Sequence, residues 1–288
     1  MEEVTTAVIG GSGLYNIDNF TDRYEIPIET PYGKPSGPIT IGTLAGERLA
    51  FISRHGTGHT ISPTSIPSQA NIFALKMLGV RHVVSVSAVG SLHEDIKPLE
   101  IVIPNQLIDR TYRRKATFFE EDLVAHVSIG NPFCENLRFQ LTESIDDTKI
   151  VCHNGGTYVV IEGPQFSTRA ESNLYRSWNA SVVGMTALPE ARLAREAEMC
   201  YVTIAMVTDY DCWKQSVEIV NAEMVVKNMQ QNVLKAQYIL EDFVPRIKNL
   251  SPDSCSFALK NAIISKRDYI SKDTLKKLEP IVKKYLNV

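Results

Sequence analysis

Short runs of apolar and β-branched residues alternate along this chain with segments in which apolar residues recur every three or four positions. The first pattern predicts strands and the second predicts amphipathic helices. The predicted strands are residues 5–9, 49–52, 82–87, 100–103, 157–161, 181–183 and 199–208. The predicted helices cover about residues 66–78, 168–177, 189–197 and 222–243. Strands and helices in alternation indicate an α/β fold.

The last predicted helix and the C-terminal tail both carry apolar stripes. In the helix the stripe comprises Val225, Met229, Val233, Ala236 and Leu240. Such a stripe is more typical of a core-facing surface than of a ligand site. Residues 245–256 contain two prolines and several serines, which predicts a loop. Beyond it, Leu275, Leu278, Val282 and Leu286 are expected to form a short docking stripe, broken at Pro280.

No linker marks a boundary, so we expect one domain over residues 1–288, with 250–288 as its tail.

Composition and charge exclude several classes of function. The chain has 288 residues and a formal net charge of −3, which gives no reason to expect binding to nucleic acid or to an anionic membrane. No apolar stretch reaches the roughly 18 residues of a transmembrane helix, and the start, Met1-Glu-Glu-Val, lacks the features of a secretory signal. The five cysteines show no C-x-x-C spacing, which favours reduced thiols in a cytoplasmic protein over a disulfide framework or a zinc site. We therefore expect no bound metal.

Two carboxylates end the most apolar predicted strand. The run 201–208 leads directly into Asp209-Tyr-Asp211. Buried carboxylates are costly unless a partner satisfies them, and the carboxyl ends of strands in α/β proteins are where ligands bind. One carboxylate could pass a proton to a ring nitrogen of a leaving group, and the other could accept from an exocyclic amine. A pair that caps the next helix or holds an arginine fits the sequence about as well.

Small and polar residues follow several other predicted strands. They are Gly10-Gly-Ser-Gly13, Arg54-His55, Ser87-Ala88 and Gly184-Met-Thr186. Backbone N–H groups, hydroxyls and a guanidinium fork would together cradle a phosphate. Each segment alone is better explained as a tight turn, a surface ion pair or a capping hydroxyl. Because Asn16 stands where the third glycine of a G-x-G-x-x-G sequence would be, a dinucleotide site is disfavoured.

Several of these segments resemble a known family in order and spacing. They are Gly10-Gly-Ser-Gly13, Thr30-Pro-Tyr-Gly-Lys-Pro-Ser36, Arg54-His-Gly56, Ser87-Ala-Val-Gly-Ser91, Glu162-Gly-Pro-Gln-Phe166, Arg169-Ala-Glu171, Met185-Thr186 and Thr208-Asp-Tyr-Asp-Cys-Trp213. Over residues 5–245 they are similar to the trimeric purine nucleoside phosphorylases, and among these to the methylthioadenosine phosphorylases. The resemblance implies a single-domain, three-layer α/β sandwich around a mixed, partly barrel-like sheet.

The resemblance also implies a role for individual residues. The phosphate site would be Ser12, Arg54, His55, Ser87, Ala88 and Thr186. Substrate contacts would come from Phe166, Met185, Asp209, Tyr210 and Asp211, with Asp209 as the catalytic residue. Specificity at the 5′ end would rest on Ser167, Ala222, Val225 and Val226. His126 would close that end from a neighbouring subunit of a homotrimer or a dimer of trimers.

The implied activity is phosphorolysis of S-methyl-5′-thioadenosine in methionine and purine salvage, with inorganic phosphate as co-substrate and no cofactor. Asp209 favours adenine, because a carboxylate accepts from a 6-amino group and cannot donate to a 6-oxo group. For Asp209 to act as an acid, burial and the neighbouring Asp211 must raise its pKa. Phosphorolysis of 6-oxopurine nucleosides, nucleoside hydrolysis and nucleoside binding without catalysis remain alternatives.

Overall fold

One mixed sheet of eleven strands runs through the described part of the chain, and six α-helices accompany it. The computed structural model describes residues 4–11, 14, 17, 19–146, 148–214 and 222–287, without the side chains of Ala222 and Met224. The strands are β1 (Thr6–Gly10), β2 (Thr21–Ile26), β3 (Ile39–Leu44), β4 (Glu47–Ser53), β5 (His82–Ser91), β6 (Ile101–Ile103), β7 (Gln106–Arg110), β8 (Cys152–Asn154), β9 (Thr157–Ile161), β10 (Val182–Gly184) and β11 (Cys200–Asp209). The helices are α1 (Ser68–Met77), α2 (Glu135–Asp146), α3 (Arg169–Ser177), α4 (Ala187–Glu196), α5 (Ala222–Ile247) and α6 (Lys272–Val282).

The sheet branches at β5. On one side, its first residues, His82 to Ser85, pair in parallel with β1, and on the other side nearly the whole strand pairs in parallel with β11. On the side that β1 leaves free, its last residues, Gly90 and Ser91, pair with the antiparallel β10. One branch therefore continues through β11, β6 and β8, and the other through β10, β9 and β7. This arrangement confirms the predicted mixed sheet and brings the ends of β5, β9, β10 and β11 towards one another.

Helices cover both faces of the sheet. In β1, Ala7 and Ile9 pack into a cluster with α1, α4 and α6, whereas Val8 packs into a second cluster with α2 and α5. This alternation follows from the period of two in a strand. Both faces are apolar because both are covered, which is why the central strands read as continuous apolar runs. The result is the predicted three-layer arrangement.

All seven predicted strands and all four predicted helices are present, with ends shifted by a few residues. Four strands, β2, β3, β7 and β8, were not predicted. Helix α2 was not predicted either, and for α6 only an apolar stripe was predicted. The predicted loop over 245–256 was wrong at its start, because α5 continues through Pro245 to Ile247. The predicted break at Pro280 was also wrong, since α6 includes that proline and ends two residues later. A proline near a helix end removes only one backbone hydrogen bond.

The C-terminal tail packs on the body of the protein. Leu275, Leu278 and Val282 of α6 are buried in the cluster that also contains α1 and α4. Beyond the helix, the Tyr285 hydroxyl donates to Glu198 Oε1 over 2.5 Å. The predicted docking stripe is therefore present: its first three residues form a helix face, and Leu286, beyond the helix, packs against the same cluster. None of the helices within the described ranges combines the length and apolarity needed to cross a bilayer.

Candidate functional site

A cavity of about 420 Å³ lies where β5, β9, β10 and β11 end. This is within the size range of small-molecule sites, and it lies at the strand ends where α/β proteins bind ligands. Predicted site residues that line it are Arg54, Ser87, Ala88, Phe166, Ser167, Met185, Thr186, Asp209, Asp211, Val225 and Val226. The two branches of the sheet and the start of α5 thus bring together side chains from six separate parts of the chain.

Asp209 is held by two short hydrogen bonds at the base of this cavity. Its Oδ1 accepts from the Asp211 N–H over 2.7 Å, and its Oδ2 lies 2.7 Å from the Thr208 hydroxyl. The same hydroxyl lies 3.2 Å from the Val89 carbonyl, which can only accept. If Oδ2 carries a proton, Asp209 can donate to Thr208 while Thr208 donates to Val89. The contacts of Asp209 therefore suit its protonated form as well as its ionised form.

Burial raises the pKa of Asp209 to about 6, although the hydrogen bonds from Thr208 and Asp211 oppose the shift, and the Asp211 charge adds to it. A carboxyl group with this pKa is partly protonated near neutral pH and can donate a proton to a base. The sequence-based expectation named burial and Asp211 as the two causes, and burial is the larger.

Asp211 presents an unsatisfied acceptor in the same place. It is buried, and its Oδ2 makes no hydrogen bond of good geometry among the described residues, although the hydroxyls of Ser172 and Ser167 lie near enough to oppose the rise in its pKa. Its backbone has φ +51°, a left-handed conformation that returns its N–H to Asp209. Since a buried polar atom without a partner is costly, Asp211 is positioned to accept a donor from a ligand. Burial also raises its pKa.

The backbone around the two carboxylates is fixed from α5 and from β5. The Asn228 side chain donates to the Thr208 carbonyl over 2.6 Å, and Asn232 donates to the Val207 carbonyl over 2.9 Å. On the β5 side, a Cβ atom at Gly90 would lie 2.9 Å from Asp209 Oδ1. Any side chain at Gly90 would therefore displace the Asp209 carboxyl group.

Two hydroxyl groups, of Ser87 and Thr186, also line the cavity. The Thr186 hydroxyl donates to Ser87 Oγ over 2.8 Å, and Ser87 Oγ lies 3.5 Å from Ser85 Oγ. Thr186 follows β10 and Ser87 lies on β5, so the antiparallel pairing of these strands brings the two hydroxyls together. Adjacent hydroxyls at a cavity wall are suitable donors for the oxygens of an anion.

Arg54 lines the cavity but is fully buried, and its guanidinium is largely occupied. Its Nε donates to Glu190 Oε1 over 2.5 Å, and its Nη2 donates to Glu190 Oε2 and to Ser85 Oγ. Its Nη1 donates to the Val86 carbonyl over 3.1 Å. Among the described contacts, one N–H of Nη1 remains for a ligand. The predicted bidentate fork to phosphate is therefore wrong, because a buried guanidinium needs a counter-charge and Glu190 takes the fork.

His55 does not line the cavity, whereas His59 does. The two imidazole rings stack with their centroids 4.1 Å apart. His55 Nδ1 lies 2.8 Å from the Ile61 carbonyl, which can only accept, so Nδ1 carries the proton. Burial and then the Arg54 charge lower the pKa of His55 to about 4. His55 is thus neutral at physiological pH and offers Nε2 as an acceptor. The second histidine of His55-Gly-Thr-Gly-His59 was the signal that the sequence reasoning passed over.

Apolar side chains form the remaining walls. Phe166 and Met185 follow β9 and β10, and Val225 and Val226 lie in the first turn of α5. Met229 and Gln230, one turn further along α5, also line the cavity and were not predicted as site residues. Helical spacing from Val225 and Val226 would have identified them. The α5 stripe is therefore shared: its first turns face the cavity, and Val233, Ala236 and Leu240 lie in the core.

Arg114 braces the loops that carry the cavity walls, and the sequence reasoning did not select it. Its guanidinium donates to the Met185 carbonyl over 2.6 Å, to the Leu188 carbonyl over 2.7 Å and to Glu162 Oε1 over 3.0 Å. Burial opposes ionisation of Glu162, but hydrogen bonds led by the Tyr112 N–H hold its pKa at about 2. Nothing in the basic run Arg113-Arg-Lys115 distinguishes Arg114 from a solvated arginine.

Four other predicted residues are not placed at the cavity. Tyr210 does not line it and packs edge-on against Trp213, with ring centroids 5.8 Å apart. His126 lines a separate cavity. Ser12 and the Ala222 side chain lie outside the described residues.

Comparisons with known proteins identify the family of this chain. A family model described as the phosphorylase superfamily matches residues 5–245. An S-methyl-5′-thioadenosine phosphorylase of Koribacter versatilis is 48% identical over 278 residues, covering 96% of this chain and 95% of that relative.

Two solved structures have the same fold. A methylthioadenosine phosphorylase from an antarctic soil metagenomic library is 45% identical, with a TM-score of 0.92 and coverage of 98% of this chain and 99% of that one. A variant of the adenosine/methylthioadenosine phosphorylase of Schistosoma mansoni, in complex with methylthioadenosine, is 34% identical, with a TM-score of 0.82 and coverage of 89% and 96%.

Proposed function

The chain belongs to the phosphorylase superfamily, and we propose that it is an enzyme that cleaves S-methyl-5′-thioadenosine with inorganic phosphate. The products are adenine and 5-methylthioribose 1-phosphate. The reaction is a pentosyl transfer from purine to phosphate, and it would serve methionine and purine salvage. Phosphate is the co-substrate, and no step of the mechanism needs a cofactor.

The observation that carries this proposal is the buried pair Asp209 and Asp211 in a cavity of nucleoside size. Asp211 Oδ2 is an open acceptor, which suits the 6-amino group of adenine. Asp209, with a pKa of about 6, can supply a proton or a hydrogen bond to N7 as charge grows on the departing base. Accepting from the 6-amino group and donating to N7 are two different tasks. The contacts differ in the same way: Asp211 Oδ2 is open, whereas both oxygens of Asp209 are hydrogen-bonded.

Phosphate would bind against the hydroxyls of Ser87 and Thr186, with Arg54 contributing its charge and one N–H. As the C1′–N9 bond breaks, its electron pair moves to the purine and N7 takes the proton. A phosphate oxygen then bonds to C1′ of the cationic sugar. The protein contributes positions and electrostatic complementarity and forms no covalent bond to substrate. No contact with phosphate is assigned to His55, because it does not line the cavity.

Phosphate dependence is the first prediction. Adenine release from S-methyl-5′-thioadenosine should require phosphate, because water has no anchored position on the sugar face that Ser87 and Thr186 line. We would follow adenine by absorbance or chromatography in phosphate-free buffer and across a phosphate titration, and identify the sugar phosphate. Equal adenine release without phosphate, with free methylthioribose as product, would instead establish a nucleoside hydrolase.

Preference at the 5′ end is the second prediction. Val225, Val226 and Met229 present apolar surface, where a methylthio group is stabilised by about 25 cal/mol per Å² buried. A 5′-hydroxyl buried there without a partner costs about 1–3 kcal/mol. We therefore expect kcat/KM for S-methyl-5′-thioadenosine to exceed that for adenosine by roughly 10- to 100-fold. The Schistosoma mansoni relative is named for both nucleosides, so adenosine is the informative competitor.

A polar replacement with a control on the same helix tests this assignment. Val225→Thr keeps the side-chain shape and adds a hydroxyl, so the preference should narrow by about 3- to 10-fold. Leu234→Thr places the same residue on an exposed part of α5 and should leave the ratio of the two kcat/KM values unchanged. If both variants keep the wild-type ratio, or if wild type uses both nucleosides equally, this part of α5 does not read the 5′ group.

Two further features of the proposal concern the assembly and its location. We propose a homotrimer or dimer of trimers in the cytoplasm, as the family resemblance implies. His126 is exposed on one chain, which is compatible with a position facing a neighbouring subunit. Crosslinking or light scattering of the purified protein measures the assembly directly.

A further inference from the structure

Three of the five cysteines lie together with one carboxylate, far from the nucleoside cavity. Ligand-type atoms of Cys134, Cys200, Asp253 and Cys255 all lie within 4.8 Å of one another. Cys200 begins β11 and Asp209 ends it. At about 3.3 Å per residue, nine residues of strand separate the two places by about 30 Å. The cluster is therefore no part of the proposed catalytic site.

The four residues come from three segments that are each fixed by backbone hydrogen bonds. The Cys134 N–H donates to the Tyr201 carbonyl over 2.9 Å, at the start of α2. The Cys200 N–H donates to the Arg81 carbonyl over 2.8 Å. Asp253 Oδ1 accepts from the Cys255 N–H over 2.8 Å, so the carboxylate is oriented by its own turn. The cluster is thus held in place by the fold independently of any bond among its side chains.

The side chains converge on the Asp253 carboxylate. The Cys134 Sγ lies 2.8 Å from Oδ2, and the Cys200 Sγ lies 3.3 Å from Oδ1. All three cysteines are buried, at 5% exposure or less. Three thiols and one carboxylate are four ligands, the number in a closed tetrahedral zinc site. With Zn–S near 2.3 Å and Zn–O near 2.1 Å, neighbouring ligand atoms are about 3.6–3.8 Å apart, so only small side-chain movements are needed.

Solvent reaches the cluster through a second cavity, of about 530 Å³. Cys134, Asp253 and Cys255 line it, together with exposed residues such as Lys260. This gives a metal ion an entry path. Arg195 also lines the cavity and brings positive charge near a site whose ligands are anionic when deprotonated.

We propose that Cys134, Cys200, Asp253 and Cys255 bind one zinc ion as a structural site. The ion joins the segment after α5 to the start of α2 and the start of β11. With four protein ligands it has no open position for chemistry, so it stabilises the fold and takes no part in phosphorolysis. The sequence-based argument against zinc relied on spacing along the chain, and the fold brings residues together from positions 134 to 255.

A disulfide is the competing use of these thiols, and the position of Asp253 favours metal. A disulfide uses two of the three sulfurs and leaves the third buried. It also leaves the carboxylate with the Cys255 N–H and at most one thiol as partners, whereas here the carboxylate contacts two sulfurs. A cation satisfies all four groups at once.

The test measures metal on the full-length protein purified under reducing conditions. Elemental analysis should find about one zinc per chain, lost on exhaustive chelation and restored by added Zn²⁺. Chelation should lower the apparent melting temperature, and Zn²⁺ should restore it. Replacement by Co²⁺ should give thiolate-to-cobalt charge-transfer absorption and intense visible bands of tetrahedral geometry, a readout that needs no variant.

Cys255→Ser and Asp253→Asn should lower zinc occupancy and abolish the zinc-dependent rise in melting temperature. Cys152→Ser, which changes a cysteine outside the cluster, should behave like wild type. Cys134→Ala is a second route should Cys255→Ser fail to fold. A mass two hydrogens lighter without reductant and no bound zinc would identify a disulfide. Metal-free protein with unreacted thiols and no response to Zn²⁺ or Co²⁺ would equally overturn the proposal.

Discussion

Replacing Asp209 with Asn is expected to lower kcat/KM for S-methyl-5′-thioadenosine by about 10²-fold, the lower end of the range for loss of a general acid. The change is well matched to the site. The new Oδ1 can accept from the Asp211 N–H, and Nδ2 can donate to Thr208 while Thr208 donates to Val89. Asn therefore copies the hydrogen bonds of protonated Asp209 but cannot release a proton. Steady-state rates of adenine release measure the effect.

The same variant should change the dependence on pH. With a pKa of about 6, the protonated fraction of Asp209 falls tenfold per pH unit above that value, so wild-type kcat/KM should decline there. Titration of phosphate itself affects both proteins, and the difference between the two profiles isolates Asp209. Parallel profiles for wild type and Asp209→Asn would show that the protonated carboxyl group is not required.

Base preference gives a third readout of Asp209→Asn. The second N–H of the amide points to the N7 edge of the purine and can donate to a 6-oxo group next to N7, so the ratio of inosine to adenosine activity should rise. A wild type that prefers inosine, or a ratio that does not move, would mean that Asp209 does not read the base.

Stability should change in the opposite direction to activity. The pKa of Asp209 is raised above its usual 3.8 in the folded protein, so ionisation costs stability as pH rises from about 4 to 6. Above pH 6 the wild type carries the full cost, at most about 3 kcal/mol. Asp209→Asn should lack this cost and resist urea better at pH 7 than wild type. The measurement is the difference in urea midpoint between Asp209→Asn and wild type. If that difference is the same at pH 7 and at pH 4, the pKa of Asp209 is not raised.

The sequence predicted the central fold because the buried strands carry strong local signals. Apolar runs such as 201–208 identify strands that are covered on both faces. The missed strands lack that signal: β2 is Thr-Asp-Arg-Tyr-Glu-Ile and is mostly exposed, and β8 has only three residues. Their pairing is decided by neighbouring strands, which local pattern does not report.

The site was predicted where motif and strand end coincide, as at Ser87, Thr186 and Asp209. Family membership is confirmed by the comparisons, while the role of each residue remains a prediction. What the sequence could not give was orientation. Arg54 directs its fork to Glu190, and His59 rather than His55 lines the cavity. The cysteine cluster depends on contacts between residues more than 50 positions apart, which spacing rules do not detect.

Replacing Arg54 with Ala is expected to lower the free energy of unfolding by about 3–5 kcal/mol, the cost of leaving a buried charge without its partner. Glu190 would keep its hydrogen bonds from Tyr201 and Ser85 but lose its only cation among the described contacts. The shift of the urea midpoint measures this loss. The KM for phosphate should rise by about 10- to 150-fold, the effect of removing a charge-assisted hydrogen bond worth about 1.5–3 kcal/mol.

A double variant separates the two roles of Arg54. In Arg54→Ala/Glu190→Gln the unpaired charge is gone, so part of the lost stability should return. The KM for phosphate should stay high, because the charge and the free N–H of Arg54 are still missing. Recovery of both stability and phosphate affinity would show that Arg54 pairs with Glu190 and does not bind phosphate. Recovery of stability alone would show that the single N–H left free on Nη1, together with the charge, is what phosphate binds.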